Sequence, residues 1–308
     1  MSTTPAEVYN LADLKRWPEV TDGIEPPLRL AVCGDPVAHS ASPPMHNAAL
    51  AEFGIHAGYT RLHVLPGELA KVFQLLRSIP FVGVNCTIPH KLAALEFVDV
   101  VDPGARRAGG VNTVKVGQDG QLTGYSTDGP GFSRAVKEAF GADLRDLRVA
   151  VLGAGGGAGR AIAMQCAFEA APSVLLVNRT IQKIAPLAAE IGREFPRCAV
   201  APASLDASEL GRTLSEFDLI VNCTALGLEP NDSSPIPPRM ILSRHLAYDT
   251  IYAATRTPFM HAADQAGARS ENGFSMLLHQ GALSFEIWFE REAPLEVMRS
   301  ALQAVAGK

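Results

Sequence analysis

The run Arg148–Gly153, RVAVLG, leads without interruption into Gly153-Ala154-Gly155-Gly156-Gly157-Ala158, a GxGxxA pattern. An apolar run of this length reads as a buried strand, and the segment Ala158 to Ala170 that follows the glycines reads as a helix. Strand, glycine turn and helix in that order demand an α/β unit. The glycines let the backbone turn tightly and bring its N–H groups against a pyrophosphate, while the helix N-terminus adds partial positive charge. A glycine-rich loop with no ligand is the plainer reading, but it does not require that order of elements.

The next strand ends in VNRT, Val177 to Thr180. An NAD-binding chain usually carries an acidic residue here for the ribose hydroxyls, whereas this one carries Arg179, with Thr180 and Lys183 just beyond. An arginine can stack on adenine and pair with a 2′-phosphate, so NADP is the expected cofactor. A surface-turn cap is the alternative for Arg179, and Asn178 is expected to act through backbone positioning. VNCT at 221–224 ends a later strand on the same carboxyl edge, which places Thr224 beside the nicotinamide half or in a simple strand-end loop.

A chain of 308 residues exceeds the usual single domain, so two are expected. From Leu28, LRLAVCG, HAGYTRLHV and FVGVNCT read as strands separated by the helical PPMHNAALAEFG and GELAKVFQLLRSI. That alternation implies a mainly parallel sheet. VNTVKV (111–116) and QLTGY (121–125) flank Gln118-Asp119-Gly120 as a hairpin. A helix over 129–140 leads into the second α/β unit, whose further strands are PSVLLVN, RCAVAP, FDLIVNCT and HLAYDT, with a helix over 181–195 among them. Helices over 275–292 and 295–305 close the chain, and residues 1–28 read as an N-terminal appendage with one helix from Ala6 to Trp17.

Composition excludes several classes. Five scattered cysteines form no CxxC, and eight histidines form no HExxH, so neither a disulfide framework nor a protein-bound metal is expected. A net charge of −5 gives no reason to expect nucleic-acid binding. No apolar run approaches the ~20 residues that span a bilayer, and MSTTPAEVYN lacks the character of a signal peptide, so the expected location is cytoplasmic, away from membranes.

A nicotinamide enzyme acting on an alcohol needs a side chain to take the hydroxyl proton, because the cofactor handles only the hydride. In VNCTIPHK, Lys91 follows a strand end and the break at Pro89, where a helix is expected to start. Burial can bring a lysine into a range useful for proton transfer. Asp128, in Ser126-Thr127-Asp128-Gly129, is the candidate partner. Taken singly, Lys91 reads equally well as a solvated first-turn residue and Asp128 as an N-cap.

The company of these residues is more specific. GDPVAHSASP puts Ser40 and Ser42 in a loop before a helix, where hydroxyls and free N–H groups can hold a carboxylate. With VNCTIPHK, GGVNT, STDG, GAGGGA, NRT, YDTIYAATRTPF and SMLLHQGA in that order, the chain from about Leu28 onward resembles the shikimate dehydrogenase family. The resemblance implies an α/β fold of two domains: a substrate domain with a mainly parallel sheet, and an inserted Rossmann-type dinucleotide-binding domain. The expected bounds are 1–127 for substrate, 128–273 for NADP, and 274–308 for helices returning to the substrate domain.

By the same resemblance the chain reversibly reduces 3-dehydroshikimate to shikimate with NADPH, on the route to aromatic amino acids, as a monomer or homodimer. Lys91 and Asp128 match the catalytic pair, Ser40 and Ser42 the carboxylate-holding serines, and Asn85, Thr87, Asn112, Tyr252 and Gln280 the substrate-contacting positions. Gly153, Ala154, Gly155, Gly156, Gly157, Ala158, Asn178, Arg179, Thr180, Lys183, Thr224 and Gly273 are expected to line the cofactor. Departures from the usual family pattern fall at Gly110, Ser126 and Ser275, near the substrate or nicotinamide. They leave room for altered substrate preference; the alternatives weighed are a quinate/shikimate dehydrogenase using NAD and, as a separate class, a dinucleotide sensor without catalysis.

Overall fold

The computed structural model describes residues 6–229, 231–252 and 255–306. The first five residues of the expected appendage and Ala253-Ala254 of the YDTIYAATRTPF motif lie outside the described residues. The chain forms two compact units, Met1–Thr127 with Gln280–Lys308, and Asp128–His279.

The first unit is built on seven strands: β1 (Tyr9–Asn10), β2 (Leu28–Gly34), β3 (Gly58–His63), β4 (Gly83–Cys86), β5 (Val100–Val101), β6 (Thr113–Val116) and β7 (Leu122–Tyr125). Their order is β1-β3-β2-β4-β6-β7-β5. β4 and β7 each pair antiparallel with β6, and the other pairs are parallel. In the helix Leu69–Leu76, the residues Leu69, Val72, Phe73 and Leu76 are buried, an i, i+3, i+4, i+7 stripe that joins the core beneath the sheet. The helix Ser42–Glu52 carries prolines in its first turn, where a missing N–H is harmless, and packs against the C-terminal helix Leu295–Ala306.

The N-terminal segment departs from the expected single helix over 6–17. Tyr9 and Asn10 form β1 on the sheet edge, and Asn10 then caps the short helix Leu11–Leu14 through a capping box with Asp13. Pro18 opens a separate short helix, Trp17–Val20. Tyr9, Leu14, Trp17 and Ile24 are all buried in the unit's core, with the Tyr9 and Trp17 rings 5.0 Å apart. The segment is therefore part of the core, because its aromatic residues have apolar surface to bury.

The second unit holds six parallel strands: β8 (Val149–Leu152), β9 (Ser173–Asn178), β10 (Ala199–Ser204), β11 (Leu219–Asn222), β12 (Leu246–Asp249) and β13 (Arg269–Glu271). They run in the order β10-β9-β8-β11-β12-β13, so the strand order reverses between β8 and β11. Every residue of β8 and β11 is buried, as expected of strands covered on both faces. The helix read over 181–195 is divided: a 3₁₀ turn, Ile181–Lys183, precedes the helix Ala185–Glu194, whose first turn accepts Pro186.

Candidate cofactor and substrate sites

In the second unit, β8 ends at Leu152 and the chain turns through Gly153, which has φ +81°. A side chain there would be strained, and its Cβ would stand 2.8 Å from the Cys223 carbonyl carbon and 2.9 Å from the Thr224 nitrogen. Gly153 also donates from its N–H to the Val177 carbonyl at 2.8 Å. A Cβ on Gly155 would meet the Asn178 side chain at 3.3 Å, whereas one on Gly156 would meet nothing nearer than 3.6 Å. Gly156 caps the twelve-residue helix Gly157–Phe168 without a side chain. Ala154 is buried beneath the turn and Ala158 lies in the first helical turn. Gly159 lets that helix close onto the loop, since its Cβ would lie 2.5 Å from the Gly153 oxygen. The loop thus has bare backbone at a helix N-terminus, which fits a pyrophosphate.

At the end of β9, Asn178 donates its amide to the Thr180 carbonyl at 3.0 Å, shaping the turn that carries Arg179, Thr180 and Lys183. All three are exposed, so their polar groups are open to a ligand.

The carboxyl ends of β11 and β12 carry a buried polar cluster that sequence reading missed. Asn222 and Asp249 are register partners, and both are fully buried. Asp249 accepts from Asn222 Nδ2 at 3.0 Å, from the Ile251 nitrogen at 3.1 Å and from Thr257 Oγ1 at 2.6 Å. Burial pushes its carboxyl up to about 6 despite these donors. Asn222 Oδ1 accepts from both the nitrogen and the hydroxyl of Thr224, at 3.0 and 2.7 Å. Two polar residues ending adjacent apolar strands, VN at 221–222 and YD at 248–249, were the available signal.

Beside them the buried Tyr248 hydroxyl meets Ser275 Oγ at 2.8 Å and accepts from the Met276 nitrogen at 3.0 Å, holding the start of the helix Phe274–Phe289. Ser275, a departure from the family's usual glycine, thereby gains a partner. Gly273 is buried where a Cβ would lie 2.2 Å from the Thr250 oxygen. Tyr252 is exposed, its ring 5.8 Å from that of Phe274.

In the first unit, Ser40 and Ser42 stand at the turn from β2 into the helix Ser42–Glu52, with the Ser42 nitrogen donating to Ser40 Oγ at 3.3 Å. The Arg61 guanidinium grips the Ser40 carbonyl at 2.8 Å. Asn112 lies next to β6 and donates to Thr127 Oγ1 at 2.8 Å and to Gln280 Oε1 at 3.3 Å. Gln280 lies on the helix Phe274–Phe289, which also brings Ser284 into hydrogen bonds with Thr113 and Asn85 at 2.8 and 3.0 Å.

Asn85, expected at the substrate, makes its hydrogen bonds within the first unit. Its amide nitrogen faces the Asn112 carbonyl, Thr113 Oγ1 and Ser284 Oγ, and its oxygen accepts from the Tyr59 hydroxyl at 2.7 Å. With the residue only 6 % exposed, the amide is consumed by the protein interior. Thr87, half-buried, follows β4 directly, and its nitrogen donates to the Cys33 carbonyl at 2.9 Å.

Lys91 is half-buried and stands in a turn, with no helix beginning at it; the nearest helical turn is the 3₁₀ segment Ala93–Glu96. The turn is held by the His90 nitrogen donating to the Thr87 carbonyl at 2.8 Å and by His90 Nε2 donating to the Val64 carbonyl at 2.7 Å. The Lys91 carbonyl accepts from the Val111 nitrogen at 2.8 Å, tying IPHK to GVNT. Asp128, in the second unit, opens the helix Asp128–Phe140 and is 5 % exposed.

Residues 32–114 match the family described as shikimate dehydrogenase substrate binding domain, and residues 273–303 match the shikimate 5′-dehydrogenase C-terminal domain. The chain is 42% identical over 282 residues to a shikimate dehydrogenase (NADP(+)) of Symbiobacterium thermophilum, covering 91% of this chain and 95% of that one. It is 38% identical to the protein of the same name from Methanopyrus kandleri, covering 89% and 94%. Among solved structures, the shikimate 5-dehydrogenase of Thermus thermophilus in complex with NADP(H) and shikimate superposes with a TM-score of 0.80 at 36% identity, covering 90% of this chain and 99% of that one. No helix among the described residues is long and apolar enough to cross a membrane.

Proposed function

We infer the reaction from the premise that this chain belongs to the shikimate dehydrogenase family. It interconverts 3-dehydroshikimate and shikimate with NADP as cofactor. The observation that carries this reading is the Asn112–Gln280 hydrogen bond, which joins two motifs 168 residues apart within the first unit. A dinucleotide sensor would have no use for a hydroxyl-recognising cluster assembled from such distant segments.

The cofactor, when bound, supplies the hydride acceptor or donor. Lys91 exchanges the proton of the reacting hydroxyl, and Asp128 accepts a hydrogen bond from that hydroxyl to orient it. Ser40 and Ser42 hold the substrate carboxylate, while Thr87, Asn112, Tyr252 and Gln280 meet the remaining polar groups. Asn85 acts from behind, fixing the backbone of Asn112. Gly153 to Ala158 receive the pyrophosphate, Arg179, Thr180 and Lys183 the 2′-phosphate, and Thr224 and Gly273 border the nicotinamide. Small molecules are the partners this reading requires, and a cytoplasmic location suits it.

The test is absorbance of the reduced nicotinamide with shikimate or quinate crossed against NADP or NAD. Turnover greatest with shikimate and NADP is expected. Dominance of quinate and NAD would overturn the specificity, and no turnover in any arm would overturn the activity.

A further inference from the structure

We propose that Asp249 is a positioning residue for hydride transfer, fixing through Asn222 the Thr224 loop against which the nicotinamide half of the cofactor lies. This inference rests on the placement of the cofactor given above. The two halves of a dinucleotide lie on either side of the point where strand order reverses, here between β8 and β11. The absent Cβ of Gly153 would touch Cys223 and Thr224, so the Thr224 loop is the next surface beyond the pyrophosphate turn.

What holds that loop is an ordered relay. A carboxylate can only accept hydrogen bonds, so Asp249 forces Asn222 to present its NH₂ toward β12. The Asn222 oxygen is thereby turned toward Thr224, where it accepts from both nitrogen and hydroxyl. Thr224 Oγ1 in turn accepts from the Leu226 nitrogen at 3.2 Å, closing the turn. The same Asp249 oxygen, Oδ1, also accepts from the Ile251 nitrogen, and the other, Oδ2, from the Thr257 hydroxyl. Thr257 also caps the helix Pro258–Gln265 by accepting from Met260. Without the carboxylate, the Asn222 NH₂ keeps only its longer bond to the Leu226 carbonyl at 3.3 Å, and the amide loses the partner that fixes it against Thr224. A buried carboxylate is a poor way to gain stability, and its presence at full burial argues for a geometric task.

Asp249→Asn preserves the relay: its oxygen can face Asn222 and Ile251 while its NH₂ donates to Thr257 Oγ1. Asp249→Ala abolishes it. In the full-length protein with shikimate and NADP, Asp249→Ala is expected to lower kcat about 10- to 100-fold through misplacement of the reacting partners. The isotope effect from shikimate deuterated at the carbon bearing the reacting hydroxyl should rise as hydride transfer becomes limiting. Affinity for adenosine 2′,5′-bisphosphate, which lacks the nicotinamide half, should stay within about twofold, because only the relay's half of the cofactor is affected. Asp249→Asn should recover most of kcat.

Thr257→Val, which removes one donor, serves should Asp249→Ala fail to fold, and should show a smaller fall with the same rise in isotope effect. Wild-type kcat and isotope effect in whichever of these two variants folds would overturn the inference. So would equal losses of kcat and bisphosphate affinity with an unchanged isotope effect, the mark of a general structural defect. Absence of turnover in the wild type would overturn the activity itself and this inference with it.

Discussion

The Tyr59 hydroxyl, on β3, donates to Asn85 Oδ1 on β4 across 2.7 Å, reaching past β2, which lies between the two strands. Tyr59 is 2 % exposed, and that bond completes the amide that organises Asn112 and Thr113. Tyr59→Phe would leave a buried acceptor unsatisfied and should lower stability by about 1–3 kcal/mol. Urea unfolding measures the loss, and steady-state kinetics should show KM for shikimate rising while KM for NADP stays near wild type. An unchanged unfolding midpoint would mean that Asn85 is held by its other three neighbours alone.

Gly34 ends β2 where a Cβ would stand 2.3 Å from the Thr87 methyl and 3.0 Å from the Ile88 oxygen. The segment cannot retreat easily, because Thr87 N–H is bound to Cys33 O and Asp35 N–H to Ile88 O, each at 2.9 Å. Gly34→Ala should therefore displace Thr87, lowering stability by about 1–3 kcal/mol, the usual penalty of overpacking, and weakening shikimate binding. Adding Thr87→Ser removes the clashing methyl and keeps the hydroxyl, so the double variant should recover part of the lost affinity. Failure of the serine to rescue would place the damage elsewhere.

Strand β2 was legible to the residue, since LRLAVCG is an apolar run bounded by proline and by Gly-Asp-Pro. Strands β1 and β5, two residues each, were not, because pairing with distant strands creates them and no local pattern does. The helix expected at Lys91 failed for a similar reason: the buried His90 ring anchors the chain to Val64, a contact invisible in IPHK. The resemblance places Asn85 at the substrate, while its hydrogen bonds tie it into the first unit's interior. Its neighbours Tyr59 and Ser284 come from 26 residues before it and 199 after it, and no local pattern reports them. Asn222 and Asp249 were hidden likewise, since their adjacency depends on strand register.

Removing a positioned proton-transfer group slows a reaction about 10²–10⁴-fold. Lys91→Ala should lower kcat by that order while NADP affinity persists. The hydrogen bond from Val111 to the Lys91 carbonyl uses the main chain and survives the substitution, so the turn should keep its shape. A variant retaining more than about a tenth of wild-type kcat would remove Lys91 from the chemistry.

Arg179 sits exposed at the end of β9. A hydrogen bond to a charged group contributes about 1.5–3 kcal/mol, so Arg179→Ala should raise KM for NADP about 10- to 100-fold. KM for NAD, which has no 2′-phosphate, should hardly move. Parallel titrations with the two cofactors check this, and equal losses for both would make Arg179 an adenine-stacking residue instead of a phosphate selector.

His46 gives the first unit a predictable acid limb. It is 1 % exposed, stacked on Tyr59 with centroids 4.5 Å apart, and neither ring nitrogen has a hydrogen-bond partner. Burial lowers its pKa from 6.5 to about 3, so the folded chain keeps the ring neutral where the unfolded chain protonates it. Between those values the unfolded state binds more protons, and stability must fall as pH falls. The contribution is complete above pH 6.5 and declines at about 1.4 kcal/mol per unit below it, or about 2 kcal/mol by pH 5. His46→Phe removes the titration while keeping an aromatic ring against Tyr59. Urea midpoints at pH 7 and pH 5 should therefore converge for the variant relative to wild type, even if overpacking lowers both. Equal pH dependence in the two proteins would mean that the His46 ring takes up its proton without leaving the fold.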